Sequence, residues 1–196
     1  MGELFKPRAG VVLTPAPVRR NFETVDFGAP TGGRVRLVNG LCVAIVGGAV
    51  VFDLALALGL RVPPKSAWAM ALAPLVGLVI LVPAFLFSQI RGYRLHGGEL
   101  LVVRRGRVDR FPLAGLQSAA ADPAAMKFSL KIFGNDGLGA ITGRFRNQRL
   151  GAYRALVTDR GRAVVLRWAD RCLVVSPDQP AEFAEAVRVR ANLNHG

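Results

Sequence analysis

Two long stretches almost free of charge constrain this chain more than anything else in it. Residues 38–60 form a run of 23 with one ionisable group, Asp53, and residues 67–90 form a run of 24 with none. About 20 residues of helix cross the hydrocarbon core of a bilayer, and an unpaired peptide group there is costly enough to force helix. The connection 61–66 is short and holds Pro63 and Pro64, which suits a tight turn on one side. The expectation is a membrane helical hairpin over residues 37–90, with helices at about 38–60 and 67–90.

Basic residues set its orientation. Lys6, Arg8, Arg19, Arg20, Arg34 and Arg36 precede the first run, and Arg91, Arg94, Arg104, Arg105, Arg107 and Arg110 follow the second, while the connection has only Arg61 and Lys65. Positive flanks stay in the cytoplasm. This predicts a multi-pass protein of the inner, cytoplasmic membrane with both termini cytoplasmic. The first 35 residues show no apolar core of a cleavable signal. Residues 1–36 read as a basic, proline-rich cytoplasmic arm, either a loose tail or a segment lying along the membrane, with Phe5, Phe22, Val25 and Phe27 as scattered apolar anchors.

Within the first run, Ala44 and Gly48 have the small-xxx-small spacing that lets a second helix approach, in the hairpin itself or in a homodimer. Asp53 is the one intramembrane polar group. Two turns from the outer end it can reach water, Trp68, Arg61 or Lys65, and that interfacial role outweighs ion handling, which needs more polar lining than one carboxylate supplies.

From Arg91 the texture changes to short strands punctuated by glycine. Gly97–Gly98 and Arg105–Gly106 separate apolar runs as hairpin turns do. Residues 126–133 alternate Lys127, Ser129 and Lys131 with Phe128, Leu130 and Ile132, which predicts a strand with one basic solvent face and one buried face. Further strands follow at 140–146, 150–158, 163–168 and 171–175. A closing helix starts at Ser176 or one turn later, with Phe183, Val187 and Ala191 on its apolar face. Residues 91–191 thus make a mainly β domain, a bent antiparallel barrel or sandwich capped by a C-terminal helix, and 192–196 a tail.

Chemistry is scarce. His96 and His195 are the two histidines, no CxxC occurs, and no metal site is expected. Cys42 and Cys172 would have to join bilayer to soluble domain, so no disulfide is expected. The glycine-rich loop 134–143 lacks the Gly-Lys-Ser/Thr ending of a phosphate loop. No nucleophile, base and orienting group fall into a recognisable order, so no catalytic residues and no cofactor are assigned. Residues 91–196 carry 18 Lys and Arg against 9 Asp and Glu. Lipid or partner contact is assigned to Arg104, Arg105, Arg107, Arg144, Arg146 and Arg149. A basic-aromatic surface around Phe145 and Tyr153 would suit nucleic acid, but membrane proximity gives the charge a more immediate use and nucleic acid is set aside.

Three stretches carry a resemblance: YRLHGGELLVV (93–103), FGNDGLGAITGRFRNQRLGAYRALVT (133–158) and AVVLRWADRCLVVSPDQPAEFAEAV (163–187). With Phe145, Gly151, Tyr153 and Thr158, and the ending Ser176, Pro177, Asp178, Pro180 and Phe183, the chain resembles bacterial pleckstrin-homology-like (PH) domain proteins that carry an N-terminal two-helix membrane hairpin. The likeness covers roughly residues 38–190. It implies a seven-stranded bent antiparallel sheet closed by the final helix, and it implies no reaction. The expected role is a membrane-anchored, non-enzymatic binding or scaffolding module that contacts a protein or peptide at the inner membrane surface. An anionic-lipid surface sensor and an accessory subunit of a small transporter or enzyme are the alternatives, and membrane lipids, a protein partner or a second copy are the partners considered.

Overall fold

The computed structural model describes residues 24–57 and 67–193. Two sheets stack with one helix closing them. The first sheet has the order β1 (Val25–Gly28), β2 (Ile90–His96), β3 (Glu99–Arg104) and β4 (Arg107–Pro112), all antiparallel. The second contains β5 (Leu116–Ala121), β9 (Val164–Trp168), β10 (Cys172–Val175), β8 (Gly151–Val157), β7 (Ile141–Asn147) and β6 (Leu130–Asp136), in that spatial order. Here β10 and β8 run parallel, so the sheet is mixed and not antiparallel throughout. Helices α1 (Gly33–Ala57) and α2 (Ala67–Ser88) precede β2, and α3 (Pro180–Arg190) ends the domain.

Period-two alternation builds two cores, one on each face of the larger sheet. Val164, Leu166, Leu173 and Val175 point to Tyr93, Leu95, Leu100 and Val102 of the smaller sheet and to Phe183 and Val187 of α3. Their neighbours Val165 and Val174 point the other way, with Ile141, Phe145, Tyr153 and Val157, and are covered by Val35, Ala125 and Met126. β1 is a strand that the sequence reading placed in the N-terminal arm. Its Phe27 is buried and meets the Phe183 ring edge-on at 5.1 Å. The helix begins at Pro180, the later of its two expected starts, with the proline in its first turn where no amide is needed.

The expected hairpin of two membrane spans is overturned. Among the described residues one helical segment, Gly33–Ala55, is long and apolar enough to cross a membrane. α2 supplies no second such segment among the described residues. Hydropathy registers the cost of wetting apolar groups, and that cost alone does not place a helix in a bilayer. A multi-pass protein of the inner membrane with both termini cytoplasmic, and a strongly membrane-embedded character, fall with the hairpin. No barrel forms either: the sheets stay open and separate, with β1, β4, β5 and β6 at their edges.

One polar network crosses the core. Tyr93 donates its hydroxyl to the Leu156 carbonyl at 2.8 Å and accepts from the Ser176 amide at 3.1 Å, while Ser176 Oγ accepts from the Thr158 amide at 2.7 Å. Burial pushes the Tyr93 hydroxyl up to about 12, against the hydrogen bonding of Ser176 and Thr158, which favours the anion. The unfolded chain releases this proton near pH 10, so stability is full below that pH and falls as pH rises to about 12, by up to about 3 kcal/mol. Tyr93→Phe should lower stability at neutral pH by about 1–3 kcal/mol, because the Ser176 amide loses its acceptor. It should also flatten the alkaline decline. Urea midpoints across that range measure both, and an equally steep decline in the variant would remove Tyr93 as its source.

Candidate functional site

Among the described residues, strand β6 is the outermost strand of the larger sheet and is hydrogen-bonded only on its β7 side. Its side chains are exposed on both faces. Phe128 is 98% exposed, Leu130 77%, Ile132 59% and Phe133 78%. The expected buried face is therefore not buried, since the smaller sheet and the 122–129 turn stop short of β6. Of that alternating series, Met126 alone reaches the core. Large apolar side chains scattered singly on a surface need no explanation, but three along one strand edge, with Phe128 in the turn just before it, mark an interaction surface.

The segment before β6 is held firmly. Tyr153 donates to Ser129 Oγ at 2.7 Å, and Asn147 Nδ2 donates to the same oxygen at 3.0 Å and to the Ala125 carbonyl at 2.8 Å. Between these anchors Phe128 adopts a φ of 51°, a left-handed conformation that bulky residues avoid. Such a conformation costs on the order of 1–3 kcal/mol and persists only where its surroundings impose it. The ring is thus thrust outward by anchored neighbours, at the rim of an open groove of about 910 Å³ whose walls include Lys127, Leu130, Arg146 and Arg149.

The surface is basic. Register places Arg146 opposite Leu130 and Arg144 opposite Phe133, and both arginines are exposed. Arg149, at the β7–β8 turn, pairs with Asp122. At the other end of the hairpin, Asp136 is held by Arg34 at 2.7 Å and by Arg160 at 2.8 Å. That tip sits on the roots of the helices: Gly139 N–H donates to Asn39 Oδ1 at 2.9 Å, and Gly137 lies against Val38. Beyond it an apolar groove of about 340 Å³ separates α1 from α2, with Cys42, Val46, Leu78, Val82, Phe85 and Leu138 on its walls.

The other expected positions fall elsewhere. Arg104 turns inward, its side chain 7% exposed, and pairs with Asp109 at 2.9 Å. Arg105 and Arg107 are exposed beside it at the β3–β4 turn. Asp53 lies partly buried on α1, and its suggested partners Arg61 and Lys65 lie outside the described residues. Ala44 and Gly48 are also on α1, and no described atom comes within 4 Å of a Cβ built at Gly48. Sequence reasoning missed Phe128, Leu130, Ile132 and Phe133 as a surface. The adjacent pair Ile132–Phe133 breaks the alternation and was the one available sign. Among the described residues no three His, Cys, Asp or Glu side chains gather to hold a metal.

A family model described as "Bacterial PH domain" matches residues 91–191. Comparison with curated proteins and with solved structures returns no match.

Proposed function

The chain belongs to the bacterial PH domain family, whose PH-like domains are non-catalytic lipid- or protein-binding modules, and on that premise we propose that it takes an extended protein or peptide segment onto the free edge of β6. The observation that carries this reading is a strand edge without a partner among the described residues, with large apolar side chains exposed along it. A strand added there would satisfy backbone groups that the sheet leaves open, and alternate side chains would set specificity. Burying Phe128, Leu130, Ile132 and Phe133 would contribute roughly 6–12 kcal/mol before costs. Association itself costs about 4–15 kcal/mol. The apolar contacts alone therefore fall near balance, and the added backbone bonds decide the affinity.

Charge selects among occupants. A second copy pairing antiparallel on β6 would bring its Lys127 and Lys131 toward the same lysines, and facing like charges are destabilising. An acidic segment meets Lys127, Lys131, Arg144 and Arg146 with the opposite sign. An anionic lipid surface is the second reading, favoured by the same cations beside exposed aromatic rings. Tethering to a membrane through the single apolar segment of α1 is part of the proposal. It predicts a full-length protein that stays with membranes through alkaline carbonate extraction, and release would remove the tether.

A photocrosslinking amino acid at position 133 of the full-length chain tests the edge in cells. The expected product is an adduct to one defined protein, reduced at least about tenfold by Leu130→Glu, since a buried charge without a partner costs well over 1.4 kcal/mol. The same group at position 110, on the opposite side of the smaller sheet, should give none. Adducts to lipid alone would replace the peptide by a lipid surface, and no adduct from position 133 would sink both readings.

A further inference from the structure

A second cluster of charge lies between the two sheets, away from the β6 edge. Arg104 and Arg107 close the β3–β4 hairpin as a register pair, and Asp109 follows two residues later on the same strand. Arg154 comes across from β8. All three arginines converge on the one carboxylate: Arg104 Nε lies 2.9 Å from Asp109 Oδ2, Arg107 Nη2 3.2 Å and Arg154 Nη2 3.4 Å from Oδ1. The Arg154 guanidinium also sits 5.3 Å from the Phe111 ring centroid, which fixes its height above the sheet.

The cluster does not balance. Three cations share one anion, and these three arginines have no second carboxylate among the described residues. Arg104 is the most costly member: its side chain is 7% exposed, and its Nε, though within ion-pair range of Asp109, has no aligned hydrogen-bond acceptor. Burial lowers the Arg104 pKa first. Asp109 offsets part of that, and the fields of Arg107 and Arg154 lower it further. Arg107 is 58% exposed and Arg154 44%, so both keep guanidinium edges open to solvent. Arg144 faces Arg154 in the β7–β8 register and adds to the same field.

We infer that Arg104, Arg107 and Arg154 form an anion site that takes a phosphate group, with Asp109 as the fixed organiser that orients the three guanidinium groups. A phosphate monoester or inorganic phosphate carries close to two negative charges near neutral pH, which matches the excess of two cations. Planar guanidinium forks suit phosphate oxygens, with two parallel bonds from each edge. Open access at Arg107 and Arg154 and the buried charge of Arg104 behind them make the pull directional. The three arginines of this site lie on β3, β4 and β8, outside the β6 edge, and Arg144 is the one cation whose field reaches both.

The test uses the full-length chain in neutral detergent, with inorganic phosphate as the probe and sodium chloride at matched ionic strength as the reference. A saturable rise in thermal midpoint with phosphate is expected. Arg107→Gln with Arg154→Gln should weaken the apparent affinity at least about tenfold, and Arg107→Gln alone, at an exposed position, by about threefold or more. Arg110→Gln, on the other face of β4, should leave it unchanged. Micelles doped with phosphatidic acid form the second arm. Binding that soluble phosphate competes away, and that the double variant loses, keeps the site and assigns its phosphate to a lipid. A phosphate response that survives in the double variant overturns the inference, as does no response to either probe.

Discussion

Phe183→Ala should destabilise the domain by about 3–5 kcal/mol, the range for truncating a buried aromatic ring. The ring is fully buried at the centre of the first core, edge-on to Phe27 at 5.1 Å and to Tyr93 at 6.1 Å. It joins three elements far apart in sequence: β1, β2 and α3. Domains of this size are stable by about 5–15 kcal/mol, so the loss is a large fraction of the whole. Little can collapse into the space, because Phe27 and Tyr93 are fixed by their strands and Tyr93 is pinned by Leu156 and Ser176. Phe183→Leu keeps most of the volume and should cost less than half as much. Denaturant unfolding followed by the fluorescence of buried Trp168 measures both. A loss below about 1 kcal/mol for the alanine variant would mean that α3 does not close this core.

The same contact shows where sequence reading stopped. Strands β2 to β4 and β7 to β10 announce themselves through alternation and through turns such as Gly97–Gly98, and the face of Phe183 and Val187 on α3 follows from helical spacing. β1 does not. It is four residues long, and its partners lie about seventy positions away, as in Val25 opposite Leu95 and Phe27 opposite Tyr93. No local pattern encodes such a pairing. The parallel run of β10 beside β8 is silent for the same reason, because register between distant strands leaves no mark in either one.

Two expectations failed because a local rule was asked for a global fact. Alternation in 126–133 is real, but burial requires something to cover the face, and no described element buries β6. Hydropathy over 38–60 and 67–90 is real as well, but one segment long enough to span does not make a hairpin. Among the arginines, charge alone did not separate those that meet solvent from the one that turns inward. Arg104 and Arg107 sit opposite each other at a hairpin end, yet the Arg104 side chain is 7% exposed and that of Arg107 58%. The difference is set by what the fold packs over each position, and no pattern within the hairpin records it.

Gly143→Ala should detach β6 from the sheet and abolish binding there. Gly143 faces Gly134 across the β6–β7 ladder, with φ of 143° and 122° respectively. Both values lie in the region that side chains rarely enter. A Cβ at 143 would overlap the Phe133 carbonyl oxygen and come within 2.8 Å of Gly134 Cα, and one at 134 would overlap the Thr142 carbonyl oxygen. These obstacles are backbone, so no rotamer change relieves them. Strain at such a position and the lost ladder together are worth about 3 kcal/mol or more. The second core takes Ile141 and Phe145 from β7 and none of its buried residues from β6, so the loss should fall first on the edge: amide exchange should accelerate across 130–136 while β9 and β10 keep their protection. Crosslinking from position 133 should vanish with it, whereas phosphate binding at Arg107 and Arg154 should survive. Gly48→Ala is the matched control, because open space surrounds that position and alanine favours helix. Unchanged exchange in β6 of the Gly143→Ala protein would show that the paired glycines do not hold the edge, and the binding surface would then need another origin.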